Sequence, residues 1–149
     1  MPVSFEQAKQ AAVAYIGLNR NRASGKIKAK LAALSVDPAT AEHVIDYLKS
    51  IDYIDDRRAA AFILKKHTGR NAKSRFRLDA LLQAQGIPAR AAAEALAGGP
   101  DDEARALDLI DATFGREGDW QVIYKRLLSR GFHPDLALAL ARKHAPDNG

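Results

Sequence analysis

Cysteine is absent from this chain of 149 residues, aromatic residues make up only 7% of it, and no apolar run is long. Without cysteine, the chain can form neither a disulfide framework nor a thiolate zinc site. Few aromatic side chains together with many alanines favour closely packed small helices over a sheet. A membrane span needs about 20 consecutive apolar residues, so we expect no membrane segment.

Signals for targeting, metals and cofactors are missing as well. The apolar stretch 11–18 follows an acidic and polar segment instead of a basic one, so we expect no secretory leader and a cytoplasmic location. The four histidines, at positions 43, 67, 133 and 144, form no pair at i, i+4 spacing. The glycines match no phosphate-binding loop pattern. We therefore expect neither a metal nor a cofactor.

The chain instead repeats one apolar pattern three times. The second copy begins 51 positions after the first, the third 45 positions later, and Ser35, Gly86 and Gly131 mark the same helix end. Repeats of about 20–50 residues are typical of arrays in which each unit packs its apolar face against a neighbour. The aligned apolar residues are Ile27, Leu31, Val36 and Val44; Leu78, Leu82, Ile87 and Ala95; and Ile123, Leu127, Phe132 and Leu140.

This periodicity predicts an all-α fold of nine helices. We expect three tandem three-helix repeats, at 1–54, 55–99 and 100–149, which form a short, elongated, curved array. Gly98-Gly99-Pro100 gives the clearest break between repeats. Because such arrays present extended binding surfaces, the pattern favours an interaction protein over an enzyme. We expect it to be a monomer.

Short local patterns predict where helices begin and end. Ser4 with Gln7 forms a capping-box pattern, Ser24 is expected to cap the second helix, and Asp37 before a proline predicts the start of the third. Gly86 is expected to form a left-handed C-terminal cap, because glycine adopts that conformation most easily.

Two further groups of residues have an ordinary structural interpretation. Asp52, Asp55 and Asp56 could hold magnesium, which prefers carboxylate oxygens. However, Asp55 and Asp56 stand where a helix begins, so capping and the helix dipole explain them. Trp120 and Phe132 are interpreted as core residues rather than as platforms that stack on bases.

The net charge of +5 hides a sharp division along the chain. Residues 20–77 carry a net charge of +8, residues 78–119 carry −6, and residues 120–149 carry +3. Such asymmetry indicates that a polyanion or an acidic partner binds the basic part. The alternative is a solvated face on helices rich in lysine and arginine.

Basic residues surround the start of the second helix in repeats one and two. Lys26 and Lys30 are one helical turn apart, so they share a face that can follow phosphates or an acidic groove. Only Phe76 is close enough in sequence to stack on a base, so a nucleic-acid role would depend on backbone contacts and on salt. The candidate partner- or phosphate-binding residues are Arg20, Arg22, Lys26, Lys28, Lys30, Lys65, Lys66, Arg70, Lys73, Arg75 and Arg77.

Several of these segments resemble the RecX family. The run from Tyr53 to Phe62 resembles the signature that joins the first and second repeats of that family. The family also has a basic, serine-capped helix in repeat one and glycine-containing helix breaks in the later repeats. The matching residues here are Arg20, Arg22, Ser24 and Ile27 to Leu31, then Gly86-Ile87 and Arg130-Gly131-Phe132.

The resemblance covers residues 8–142 and includes the three-unit architecture. It implies a regulator that binds the RecA recombinase, lies along the groove of its filament on DNA, and restrains ATP hydrolysis, strand exchange and coprotease activity. The implied roles are in DNA repair, recombination and the SOS response, without catalysis. This chain departs from the family at Lys26, where an acidic residue is usual, and around Ser74 and Arg77 to Leu81.

Two other functions remain open on the sequence. The first is a stand-alone helical module that binds single- or double-stranded DNA through salt-sensitive backbone contacts. The second is a metal-dependent nuclease that uses the aspartates at positions 52, 55 and 56.

Overall fold

The computed structural model of the chain describes residues 2–145. Over that range the chain forms nine α-helices, one short 3₁₀ helix at Gly69–Asn71 and no strand, which confirms the all-α prediction. Residue 1 of the first predicted repeat and residues 146–149 of the third lie outside the described range. The helices are α1 (Phe5–Ile16), α2 (Ser24–Ala33), α3 (Pro38–Ser50), α4 (Asp56–Leu64), α5 (Arg75–Ala84), α6 (Ala89–Ala97), α7 (Asp102–Phe114), α8 (Trp120–Ser129) and α9 (Pro134–His144).

The chain divides into two compact units. Unit 1 consists of Met1–Phe62 together with Leu82–Ala95, and unit 2 of Ile63–Leu81 together with Leu96–Gly149. These units are a different division of the chain from the three sequence repeats, whose boundaries stay a prediction. None of the described helices combines the length and the hydropathy that crossing a membrane requires.

Unit 1 is built around the mutual packing of α1, α2 and α3. Helix α1 contributes Ala8, Ala12 and Ile16 at i, i+4 spacing, and all three are buried. Because two of these residues are alanine, the neighbouring helices can approach α1 closely. From α2 and α3 the same core receives Ile27, Leu31, Ala41, Val44, Ile45 and Leu48.

Unit 2 has its core between α7, α8 and α9. The 3₁₀ helix packs on α7, and Ala72 directly after it is buried in the same core. Trp120 packs against this core and Phe132 lies within it, so both are core residues, as the sequence predicts. The remaining buried residues are Ala106, Leu109, Ile110, Ile123, Leu127, Ala137, Leu140 and Ala141.

The predicted helix starts are mostly confirmed. Ser4 and Gln7 form a capping box, and Asp37 caps α3 through the amide of Ala39. At α4, the Asp55 carboxylate accepts from the amides of the second and third helical residues, at 2.8 and 3.4 Å. Asp55 is therefore an N-cap, as predicted.

The three predicted equivalent helix ends share one backbone geometry. Ser35, Gly86 and Gly131 all have positive φ, at 63°, 93° and 90°. In each case the amide of the next residue donates to a carbonyl five positions back, which is the hydrogen bond of a Schellman motif. The donors are Val36, Ile87 and Phe132, and each of their side chains is buried.

The predicted apolar pattern is wrong at two positions. Ala95 is only half-buried, whereas Ala92 and Leu96 on the same helix are fully buried. The helical spacing of Leu107 and Ile110 predicts that both face the core, but Leu107 is 43% exposed, and Leu109 is buried beside Ile110 instead. In both helices one helical face packs inward, so a shift of one or two positions turns a side chain toward solvent.

Candidate partner and phosphate interface

In unit 1, the start of α2 is held by a buried carboxylate. Asp56 accepts hydrogen bonds from the amide and the hydroxyl of Ser24, at 2.8 and 2.7 Å. The ammonium group of Lys49 lies 3.3 Å from the same carboxylate. The predicted cap at Ser24 is wrong: Ala23 is the N-cap residue, and the Ser24 side chain binds Asp56 instead.

A backbone contact fixes the same end of α2 from another side. The amide of Gly25 donates to the carbonyl oxygen of Gly86 at 2.9 Å. A Cβ atom on Gly25 would lie 2.5 Å from that oxygen, and a Cβ on Gly86 would lie 2.7 Å from the amide nitrogen of Lys26. The two glycines therefore allow α2 and the turn after α5 to meet backbone to backbone.

Arginines before α2 pack on tyrosine rings. The guanidinium of Arg20 lies 4.3 Å from the ring centre of Tyr53, and that of Arg22 lies 4.2 Å from the ring centre of Tyr15. Arg22 also donates to the carbonyl oxygen of Tyr15 at 3.1 Å. These cation–π contacts hold two predicted binding residues in defined positions while their charges stay at the surface.

Lysines on α2 lie in two different surroundings. Lys30 lies 5.7 Å from the ring centre of Tyr15, beside Arg22. Lys26 and Lys28 instead line a cavity of about 650 Å³ whose lining also includes Lys49. Its other lining residues include Glu42, Asp46, Ala29, Ile45, Ile87 and Pro88. Three lysines, two acidic residues and apolar residues therefore line the cavity.

Sequence reasoning missed three contributors to this part of unit 1. Tyr15 and Tyr53 position the arginines, and Lys49 joins the cavity from α3. No local sequence signal marks them, because the contacts depend on the packing of α1 and α3 beside α2. Arg58 also stabilises the segment, since it donates to the carbonyl oxygens of Arg20 and Tyr53.

In unit 2, the start of α5 is held in the same way as the start of α2. The amide of Arg75 donates to the Asp102 carboxylate at 2.8 Å, and the amide of Ser74 donates to the carbonyl oxygen of Arg130 at 3.0 Å. Arg75 stands 51 positions after Ser24, and Asp102, like Asp56, is the first residue of its helix. Ser24 and Arg75, which are equivalent in the predicted repeat, therefore each donate their amide to the carboxylate that begins a later helix.

Two of the predicted basic residues of unit 2 contact chain segments at helix ends, at Ala112 in the last turn of α7 and at Gly131 after α8. Arg70 donates from Nε to the carbonyl oxygen of Ala112 at 3.1 Å, and Arg130 donates to the carbonyl oxygen of Arg70 at 2.7 Å. The Arg77 side chain lies against Gly131, where a Cβ atom would be 2.2 Å from Arg77 Cγ. Lys65, Lys66 and the Arg75 side chain are exposed. Arg130 was not among the predicted binding residues.

Lys73 and His67 are in close contact, and the pKa of each side chain is lowered. The ammonium nitrogen of Lys73 lies 2.9 Å from Nδ1 of His67. Burial, with the charges of Arg130 and Arg77, lowers the pKa of Lys73. Burial, with the charges of Lys73 and Lys66, lowers the pKa of His67. Nδ1 of a neutral His67 can accept a hydrogen bond from the charged Lys73, which explains their close approach.

The aspartates considered for magnesium have other partners. Asp55 caps α4, and Asp56 binds Ser24 and Lys49. Among residues 2–145, no three histidine, aspartate or glutamate side chains are arranged to hold a metal ion.

Comparison with known proteins bears on the whole chain rather than on one residue. No protein-family model matches the sequence, and no curated protein sequence matches it. The structure, however, is similar to the crystal structure of RecX from Lactobacillus salivarius, with a TM-score of 0.71. The similarity covers 94% of this chain and 96% of that one, at 19% sequence identity. The chain has the RecX fold.

Proposed function

We propose that this protein is a RecX-like regulator that binds the RecA–DNA filament. It would mainly inhibit the ATPase, strand-exchange and coprotease activities of the recombinase, and it would act as a cytoplasmic monomer without catalysis. The observation that carries this proposal is the RecX fold over 94% of the chain, together with the RecX-like run Tyr53–Phe62. Similarity at 19% identity establishes the fold, and the function is the inference drawn from it.

The three predicted repeats fit this role. Repeat organisation is supported by the matching contacts of Ser24 with Asp56 and of Arg75 with Asp102. Linked units can contact neighbouring recombinase subunits, so that each later contact is effectively intramolecular. We propose that such attachment restricts the subunit motions that ATP turnover requires.

The basic residues of unit 1 are the proposed contact surface. Arg20, Arg22, Lys26, Lys28 and Lys30 are all exposed. Two of them are held on tyrosine rings, so little side-chain freedom is lost when they bind an acidic or phosphate surface. Lys26 and Lys30 have no carboxylate partner among the described ion pairs.

DNA-dependent ATP hydrolysis by a RecA filament, titrated with this protein at fixed salt, tests the proposal. We expect inhibition well below one protein per recombinase subunit. The double variant Lys26→Glu with Lys30→Glu should inhibit at least about tenfold less effectively, because charge-assisted contacts become repulsive. The matched control is Lys125→Glu with Lys143→Glu, two exposed lysines on α8 and α9. Equal inhibition by both double variants, with unchanged helicity, would exclude this surface.

A stand-alone nucleic-acid-binding module is the second candidate. The observation that favours it is Phe76, which is 80% exposed on α5 between Arg75 and Arg77. An exposed ring between two cations is suited to stack on an unpaired base while the arginines contact phosphates. This candidate predicts that the protein binds single-stranded DNA alone, that affinity falls steeply with salt, and that Phe76→Ala weakens binding. DNA binding without any effect on the recombinase ATPase would favour it over the regulator.

A further inference from the structure

A group of like charges converges beside Gly131 in unit 2. We define the turn cluster as Arg70, Lys73, Arg77, Arg130 and His67. The Arg130 guanidinium donates to the backbone carbonyl oxygen of Arg70 at 2.7 Å, and the Lys73 ammonium nitrogen lies 2.9 Å from Nδ1 of His67. Arg77 lies across Gly131, directly after Arg130. Four of these residues lie within residues 67–77, and the fold adds Arg130 from the turn after α8.

The hydrogen bonds described for the side chains of Lys73, Arg70 and Arg130 go to neutral acceptors. Lys73 donates to His67 and to the carbonyl oxygen of Asn71, whereas Arg70 and Arg130 donate to backbone carbonyls. Within residues 2–145, none of the four cations forms an ion pair with a carboxylate. The carboxylate of Asp108 on α7 is engaged by the amide of Gly69 at 2.7 Å.

Bringing these like charges together costs free energy. Like charges at short range repel, and partial burial of Lys73 removes some of the water that would screen them. An oxyanion placed between the side chains would attract each of these cations and offset the repulsion between them. Arginine and lysine are the residues that phosphate sites use, because their N–H groups make charge-assisted hydrogen bonds to phosphate oxygens.

We infer that the turn cluster is an oxyanion site that binds a phosphate group between Lys73, Arg77 and Arg130. Two features prepare it for a ligand. Hydrogen bonds to backbone carbonyls already orient the guanidinium groups of Arg70 and Arg130, so less side-chain conformational entropy is lost when phosphate binds. The missing side chain of Gly131 leaves room for Arg77 to lie over the turn. The phosphate is either a free ion or a phosphodiester of a nucleic acid.

A phosphate site can exist in this fold whether or not the chain binds a filament. A negative result in the ATPase experiment would not count against the phosphate site at the turn cluster. A negative result in the experiment below would not count against the unit 1 surface as the proposed filament contact.

NMR of the full chain tests the site with two probes. The first is potassium phosphate, titrated against potassium chloride at constant ionic strength. The second is an oligothymidylate of about eight nucleotides without terminal phosphates, which offers only phosphodiesters. We expect saturable shifts of the Gly131 and Ser74 amides and of the His67 ring that chloride does not produce. The two probes separate a free ion from a nucleic-acid backbone.

Variants test whether the NMR shifts arise from phosphate bound at the turn cluster. Lys73→Met and Arg77→Gln should each weaken binding by about tenfold, as expected for loss of one charge-assisted hydrogen bond. Lys125→Met, at an exposed lysine on α8, should bind as the wild type does. Arg77 is exposed, so its variant remains informative if Lys73→Met fails to fold. Absence of shifts with both probes, or equal weakening by the Lys125 variant, would overturn the inference.

Discussion

The amide of Gly25 donates to the carbonyl oxygen of Gly86, 61 positions later in the chain, at 2.9 Å. This contact brings the first turn of α2 against the turn that follows α5. No side chain takes part, so glycine is required for steric reasons at both positions. Unit 1 therefore depends on a backbone contact that hydrophobic patterning does not reveal.

Gly25→Ala is expected to destabilise the protein by about 1–3 kcal/mol, the range for a side chain forced into a filled space. The added Cβ would lie 2.5 Å from the Gly86 oxygen and 2.9 Å from its Cα. Helix propensity alone predicts the opposite sign, a gain of about 1 kcal/mol for alanine over glycine. Urea unfolding followed by circular dichroism measures the difference, and an increase in stability would show that the turn at Gly86 can move aside.

Exchanging residues between equivalent turns should give opposite results. Ser35 has a φ of 63° and is exposed, so Ser35→Gly should stabilise the protein by up to about 1 kcal/mol by removing left-handed strain. Gly86→Ser adds the same strain and places Cβ 2.7 Å from the Lys26 amide nitrogen. That change should cost more than about 2 kcal/mol. Thermal unfolding of both variants checks the pair, and shifts of the same sign would contradict it.

The buried carboxylate of Asp56 should couple energetically to Ser24. Asp56→Asn weakens the two hydrogen bonds from Ser24 and removes the negative charge that pairs with Lys49. We expect the free energy of unfolding to fall by about 2–3 kcal/mol. Ser24→Ala should cost about 1–2 kcal/mol alone and much less when Asp56 is already Asn. Asp55→Ala is the control, because it removes an N-cap worth about 1 kcal/mol and should add to Ser24→Ala. Additive losses for Ser24 and Asp56 would mean that their contact contributes nothing.

The all-α fold was predictable because helical periodicity and capping residues are local signals. Asp37 and Asp55 act within their own helices, and their roles follow from neighbouring residues. Ser24 could not be placed correctly, because its partner is 32 positions away and competes with the local cap. The predicted basic residues are mostly exposed, yet the roles of Tyr15 and Arg130 depend on helix packing, which no spacing rule encodes.

Protonation of His67 should destabilise the protein as the pH falls. Burial and the charges of Lys73 and Lys66 lower the pKa of His67 from its ordinary value of 6.5, so the unfolded chain binds the proton more readily. The stabilising contribution is complete above pH 6.5 and is lost as the pH falls through the folded pKa. The backbone hydrogen bond with Asn71 acts in the opposite direction and raises the pKa of His67, but it is the smallest of these effects.

His67→Gln provides the comparison, because its amide oxygen can still accept a hydrogen bond from Lys73 but does not titrate. We expect the free energy of unfolding of the wild type to fall relative to this variant as the pH drops below about 6.5, where a histidine of the unfolded chain becomes charged. Urea unfolding at matched ionic strength measures the difference. Phosphate should reduce the loss if it occupies the turn cluster, since an anion beside Lys73 favours the protonated ring. Parallel pH profiles for the two proteins would show that His67 titrates equally in the folded and unfolded chains.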